Sequence, residues 1–409
     1  MRIGIDARFY GPAGKGLGRY TQEIVDNVIK IANADKFSPA EKNTGVSFSG
    51  GEIEFVVFLS PDNFNEFICS SDKVRKVLLP IRWYSWREQL IMPFLIAREN
   101  LDLIHYPHFN VPVLTPVKFV VTIHDLILTH FPTLRATTLS AVMYRFKNLA
   151  YRLVIFTAVR RARRIITVSE FTKKDLIQKF SVNPEKIKVT HEGVANLATG
   201  KDRLFVAKLG KSEILEKYNI YGSDFILYVG NAYPHKNLDF LLTVFKELLQ
   251  TKPKLRLVLV GKEDYFYKRL HKLAEDLGLW TDGDYSSSVV FTGYVSDQDL
   301  EDLYQKSLAY VFPSKYEGFG LPPLEAMAKG CPVVSSNQGS LPEILGEAAL
   351  YFNPDDYQDA LFKIRDILEN EEMRNDFRQR GLSRAKKYNW DTCAQDTFNI
   401  YKEVLNEKS

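Results

Sequence analysis

Cysteine is scarce. Cys69, Cys331 and Cys393 stand far apart in a chain of 409 residues and form no C-x-x-C pair. Neither a zinc site nor a disulfide framework is on offer, and the odd count fits a reducing compartment. Long apolar runs are missing as well. The longest, around Leu90–Ala97 and Leu153–Val159, fall well short of the ~20 residues that a membrane span needs. The opening Met1-Arg2-Ile3-Gly4-Ile5-Asp6 reads as a strand rather than the basic-then-apolar layout of a signal peptide. These absences predict a cytoplasmic protein, soluble or held peripherally on the inner face of the membrane. Net charge is only +4, so charge gives no argument for nucleic acid as a partner. Charged residues make up 25% of the chain, the globular average, which excludes wholesale disorder.

What is present is a long alternation of β-branched runs with helical patterns. Ile3–Ala7, Ile53–Leu59, Leu103–Tyr106, Phe119–Ile123, Arg164–Val168 and Lys186–Thr190 read as strands, with helices at Leu17–Ile31, Trp83–Arg98 and Phe171–Phe180. A second series follows at Phe225–Val229, Leu255–Val260, Val289–Thr292, Leu308–Phe312, Pro332–Ser335 and Ala349–Phe352. Such alternation predicts α/β architecture with parallel sheets covered on both faces. At this length it predicts two domains of roughly 200 residues each. The expected division is 1–197 and 198–390, with a polar connector at Ala195–Ser223 and a last helix, 391–409, packing back on the first domain. Asn33–Gly51 and Trp280–Ser288 read as insertions, the first of them mobile.

The most informative segment is Phe312–Glu325, F-P-S-K-Y-E-G-F-G-L-P-P-L-E. A buried strand ends at Pro313, a loop carries Gly318 and Gly320, and a helix opens at Pro322-Pro323, where proline suits the first turn. The backbone of Gly318, Phe319, Gly320 and Leu321 then offers a seat for a diphosphate. Glu317, before the turn, can face a sugar. Glu325, one turn into the helix, can reach a ribose diol. A plain β-turn-helix with two surface glutamates is the bland alternative.

With seven residues between its two glutamates, this string resembles the E-x7-E signature of retaining glycosyltransferases of family 4. The resemblance runs from Met1 to about Trp390 and is closest to the branch that holds mannosyltransferases of bacterial surface-polysaccharide assembly. It implies the GT-B fold: two facing Rossmann-like, doubly wound domains with a deep interdomain cleft. The C-terminal domain would hold the nucleotide sugar and the N-terminal domain the acceptor.

Other segments take their roles from that resemblance. In Tyr228-Val229-Gly230-Asn231 and Pro234-His235-Lys236-Asn237, Lys236 matches the family's lysine toward the leaving diphosphate. Asn231 stands where an arginine is common, which weakens bidentate phosphate clamping and leaves His235 as a contributor. Gly16 and Gly18, in the Gly11–Tyr20 loop, allow close approach to a phosphate. Their spacing is not G-x-G-x-x-G, so an NAD site is poorly supported, and in the glycosyltransferase reading the loop closes over the donor diphosphate. His124, in Thr122-Ile123-His124-Asp125, would contact the transferred sugar, and Asp125 either joins it or caps the next helix. Val295 would lie beside the nucleobase. Ser169 and Ser340 read as helix starts.

Arg82-Trp83-Tyr84-Ser85-Trp86-Arg87 and Tyr106-Pro107-His108-Phe109-Asn110 could hold sugar rings or a lipid diphosphate, or be core aromatics. The basic segment 145–164 is either a membrane-docking surface or an ordinary amphipathic helix. No Asp-x-Asp pair sits at a strand end; Asp355-Asp356 and Asp297-x-Asp299 fall at helix starts. Metal independence is therefore expected, and the resemblance implies a retaining hexosyltransferase that needs no cofactor. The donor is a nucleotide sugar, with GDP-mannose preferred over UDP- and dTDP-sugars, and the acceptor is a glycan or lipid-linked glycan. A GT-B nucleotide-sugar epimerase, an NAD-dependent dehydrogenase and a non-catalytic nucleotide-sugar-binding protein are the rivals.

Overall fold

A computed structural model describes residues 1–11, 15–34, 52–131, 141–194 and 213–407. Most of the 33–51 insertion, the larger part of the Ala195–Ser223 connector and residues 12–14 of the first loop lie outside the described residues. The chain divides into two compact units, Met1–Gly193 with Asn389–Ser409, and Val194–Tyr388.

The first unit is built on a seven-stranded sheet in the order β3-β2-β1-β4-β5-β6-β7. Its strands are β1 (Arg2–Asp6), β2 (Glu54–Leu59), β3 (Val74–Leu78), β4 (Leu103–Tyr106), β5 (Phe119–Ile123), β6 (Arg164–Thr167) and β7 (Ile187–Val189). Every pairing is parallel. The central strands are buried on both faces, which is why they read as continuous apolar runs. β3 was not expected. Its V-R-K-V-L sequence has no fully buried position, as suits a charged edge strand. The single helix expected over Trp83–Arg98 is two, Trp86–Leu90 and Met92–Arg98, separated at Ile91. Pro93 lacks the amide that would have continued the first helix.

The helix Trp390–Asn406 belongs to this first unit and packs on Lys15–Ala34. A Cβ on Gly193 would stand 2.3 Å from the Trp390 nitrogen, so glycine lets the chain pass there. Arg164 and Lys188 pair with Glu403, and the Lys118 ammonium donates to the Glu407 carbonyl.

The second unit carries a six-stranded parallel sheet in the order β10-β9-β8-β11-β12-β13. These strands are β8 (Phe225–Val229), β9 (Arg256–Val260), β10 (Val289–Gly293), β11 (Ala309–Phe312), β12 (Val333–Ser336) and β13 (Ala349–Phe352). Strand order reverses at β1/β4 in one unit and at β8/β11 in the other. In doubly wound sheets the carboxyl ends at such a reversal form the ligand crevice.

Candidate active site

In the second unit the reversal brings two loops together. After β8, Asn231 accepts the Tyr228 hydroxyl at its carbonyl (2.7 Å) and the Tyr233 amide at its side chain (3.3 Å). A 3-10 turn, Pro234–Lys236, follows, and Asn237 at φ 60° leads into the helix Leu238–Thr251. The turn is tied to the loop after β11: the Lys315 amide (2.7 Å) and the Ser314 hydroxyl (3.2 Å) both donate to the His235 carbonyl. This places Lys236 Nζ 2.5 Å from Glu317 Oε1 and 5.2 Å from the centre of the Phe312 ring. The two residues expected to face the diphosphate and the sugar are thus direct partners here, both buried. His235 is buried too; burial and, less strongly, the Lys236 charge push its pKa down to about 4. It is therefore neutral near pH 7 and offers a phosphate at most a neutral hydrogen bond.

The Glu317 loop is pinned from behind. Ser340 stands at the start of the helix Leu341–Leu345, as expected, and its side chain makes no cap bond. Its hydroxyl instead lies 3.1 Å from the Glu317 carbonyl and 2.8 Å from that of Phe319. Gly320 caps the helix Leu321–Ala328 at φ 99°, a left-handed conformation, where a Cβ would stand 2.7 Å from Leu341 Cδ2. Residues 322 and 323 are both proline, so the anion seat at this helix start is narrower than expected: in the first turn Leu321 supplies an amide and its two successors cannot. The Phe319 ring is buried and packs edge-on to Tyr388 at 5.7 Å. Val295 is buried between β10 and the helix Asp297–Lys306, and Glu325 is half-buried one turn into its helix.

In the first unit His124 follows β5. Its Nδ1 lies 3.0 Å from Glu192 Oε1 and its Nε2 3.0 Å from the Pro107 carbonyl oxygen. Both ring nitrogens face acceptors, an arrangement that favours the protonated ring. Burial opposes that charge, yet the bond to Glu192, the charge of its carboxylate and the Pro107 carbonyl together raise the His124 pKa above the ordinary histidine value. Beneath it runs a buried chain. The Tyr401 hydroxyl meets His105 Nδ1 (2.6 Å), His105 Nε2 meets the Thr122 hydroxyl (2.9 Å), and Thr122 meets Tyr20 (3.1 Å). The Tyr20 ring stands edge-on to His124 at 4.5 Å. Asp125 accepts the Ile127 amide (2.9 Å), while the N-cap position of the short helix Ile127–His130 is Leu126.

Glu192, His105 and Tyr401 received no role from sequence. Glu192 follows β7 closely, but nothing local in the sequence links it to His124. Of the two loop glycines, Gly18 has a packing reason, since a Cβ there would lie 2.2 Å from the Gly11 carbonyl oxygen. Gly16 faces open space within 4 Å, so packing does not explain it.

Comparison with known proteins decides the family. Residues 49–195 match the model of glycosyltransferase family 4, and 210–384 match that of glycosyl transferases group 1. O-antigen chain mannosyltransferase B of Escherichia coli is 32% identical over 394 residues, covering 95% of this chain and 96% of that protein. The chain is a family 4 glycosyltransferase. Sucrose-phosphate synthase of Thermosynechococcus elongatus superposes on this glycosyltransferase with TM-score 0.71 at 18% identity, covering 99% of both chains. HepE of Anabaena in complex with UDP-glucose gives 0.64 at 17% identity, covering 98% of both. The fold is GT-B.

Proposed function

We propose that this glycosyltransferase moves mannose from GDP-mannose to a glycan or lipid-linked glycan in surface-polysaccharide synthesis. The transfer retains anomeric configuration and uses no divalent metal. The observation that carries the sugar and the pathway class is the similarity to an O-antigen chain mannosyltransferase along nearly the whole length of both proteins. The donor-side chemistry is supported by the second unit. Cleavage leaves negative charge on the departing diphosphate. Lys236, together with the positive end of the helix Leu321–Ala328, offers charge to meet it at the β8/β11 reversal. Glu325 serves the ribose, Val295 the base, and Glu317 and His124 the sugar being transferred.

The same reading places the first unit on an anionic membrane surface. The helix Ala141–Arg161 exposes Phe146, Leu149, Leu153 and Phe156 in one stripe. Arg145, Lys147, Arg152, Arg160 and Arg163 are exposed around it, and no acidic residue occurs between Asp125 and Glu170. Lipid-linked acceptors would be met at that surface.

The test is incubation with GDP-mannose, UDP-glucose and dTDP-sugars in excess EDTA, followed by NMR of the product's anomeric centre. Transfer of mannose with retained configuration is expected. Magnesium-dependent transfer, inversion, or conversion of the donor to its epimer without transfer would each overturn the corresponding part.

A further inference from the structure

At the β1/β4 reversal of the first unit stands an aromatic cluster that donor chemistry does not use. Phe9, after β1, stacks on Trp83 with ring centres 3.9 Å apart and planes 13° from parallel. His108, after β4, lies 5.6 Å from Phe9, 4.1 Å from Phe109 and 6.1 Å from Tyr84. The Tyr84 residue is 60% exposed. The structure thus joins two segments 20 or more residues apart in sequence, both singled out for their aromatics, into one ledge at the crevice where doubly wound sheets take their ligands.

Two features of the ledge are costly if it only fills a core. Trp83 Nε1 and His108 Nδ1 are buried, and neither has a hydrogen-bond partner among the described residues. Tyr84 holds φ at 55°, a conformation that large side chains rarely adopt. That conformation is braced by a buried ionic network. Arg8, 1% exposed, bonds Asp6 Oδ2 (2.7 Å) and Glu88 Oε1 (2.5 Å). Glu88 Oε2 accepts the Tyr84 amide (2.8 Å) and the Asn110 side chain (2.6 Å). One carboxylate thereby fixes both segments and the turn after β1.

The ledge offers no free charge at its base. Arg8 is matched by two carboxylates, and burial holds the His108 pKa down to about 3, leaving it neutral. The unpartnered Trp83 and His108 nitrogens suit the hydroxyls of a neutral polyol. We propose that the ledge is the acceptor's sugar subsite. A pyranose ring of the glycan acceptor lays a C–H face on Tyr84 and His108. As the exposed Tyr84 ring turns aside, its hydroxyls engage Trp83 Nε1 and His108 Nδ1. This rests on the reading that the acceptor is a glycan.

Saturation-transfer NMR on the full chain with methyl α-mannopyranoside, methyl α-glucopyranoside and methyl β-galactopyranoside tests the subsite. Trp83→Phe keeps the stack on Phe9 and deletes the N–H. Tyr84→Asn keeps a residue that tolerates positive φ and deletes the ring. At least one pyranoside should bind through its ring protons, with Kd raised about tenfold in each variant, as expected for the loss of one ring contact or hydrogen bond. GDP and UDP affinity by calorimetry should stay unchanged. Binding of no pyranoside, or equal binding by wild type and variants, overturns the subsite. Donor hydrolysis on the same samples reads the transfer chemistry separately. Cleavage alongside unaltered sugar binding overturns the subsite alone, whereas no cleavage of any donor overturns the functional reading with it.

Discussion

Lys236 and Glu317 neutralise each other: Nζ stands 2.5 Å from Oε1, with the two side chains 11% and 9% exposed. A buried pair of this kind is costly to break from one side, because the remaining charge is left uncompensated. Under the proposed function, an arriving diphosphate would compete with Glu317 for the ammonium, and a carboxylate released from Lys236 would be free to meet sugar hydroxyls.

Lys236→Met should therefore do two things. Unfolding stability should drop by about 3 kcal/mol, the usual cost of orphaning one member of a buried ion pair. Nucleotide-diphosphate affinity should fall as well. The double variant Lys236→Met, Glu317→Gln should recover much of the stability but none of the affinity. Chemical denaturation and calorimetry with GDP and UDP separate the two; full recovery of both would mean that Lys236 is a packing residue only.

Gly320→Ala probes the loop that carries Glu317. At φ 99° and with Leu341 Cδ2 2.7 Å from the new Cβ, alanine is strained whatever the neighbour does. A loss of about 1–3 kcal/mol is expected from the backbone conformation. The strain falls at the start of the helix Leu321–Ala328, so nucleotide affinity should drop with it. Wild-type stability and affinity in Gly320→Ala would show that the turn needs no left-handed residue.

Membrane docking is read by co-sedimentation with phosphatidylglycerol vesicles. Each basic residue near an anionic surface contributes about 1 kcal/mol, so Arg145→Ala with Arg152→Ala should lower partitioning about 30-fold. Leu149→Ser with Leu153→Ser should lower it at every salt concentration, whereas the arginine effect should fade as salt rises. Equal partitioning of all the proteins would remove the membrane from the proposal.

The donor-side motif was legible because one contiguous stretch, Phe312–Glu325, carries the strand, the turn and the helix start together. The residues around His124 were not. Glu192 approaches it across 68 positions and Tyr401 reaches His105 across 296. No periodicity or spacing encodes such contacts; the loop after β7 brings Glu192 to His124, and the packing of the last helix brings Tyr401 to His105. The Lys236–Glu317 pair was half legible, since each residue was singled out but for a ligand rather than for its partner. β3 escaped because an edge strand has no apolar face to repeat, and the break at Ile91 escaped because an apolar helical period continues through Pro93. Ser340 was legible as a helix start, but its bonds to the loop carrying Glu317 were not.

The last prediction concerns the charge on His124. Its folded pKa lies above the ordinary histidine value, with burial as the opposing influence and Glu192 as the main support. A histidine of this kind contributes stability that is fully present below its unfolded pKa and is lost as pH rises through the folded value. Glu192→Gln removes the supporting carboxylate and leaves burial to depress the pKa. The stability difference between wild type and Glu192→Gln should thus be largest below pH 6.5, at about 1.5–3 kcal/mol for a charge-assisted bond. It should narrow above that pH, as wild type loses its proton. Imidazole proton shifts followed by NMR against pH should show the His124 midpoint moving down in the variant. Turnover should fall in Glu192→Gln and more steeply in His124→Ala, with GDP affinity near wild type in both, because the role proposed for His124 is on the sugar in the transition state and not on the free nucleotide. A stability difference that is flat from pH 5 to 9, or a midpoint that does not move, would mean that Glu192 only orients a neutral ring.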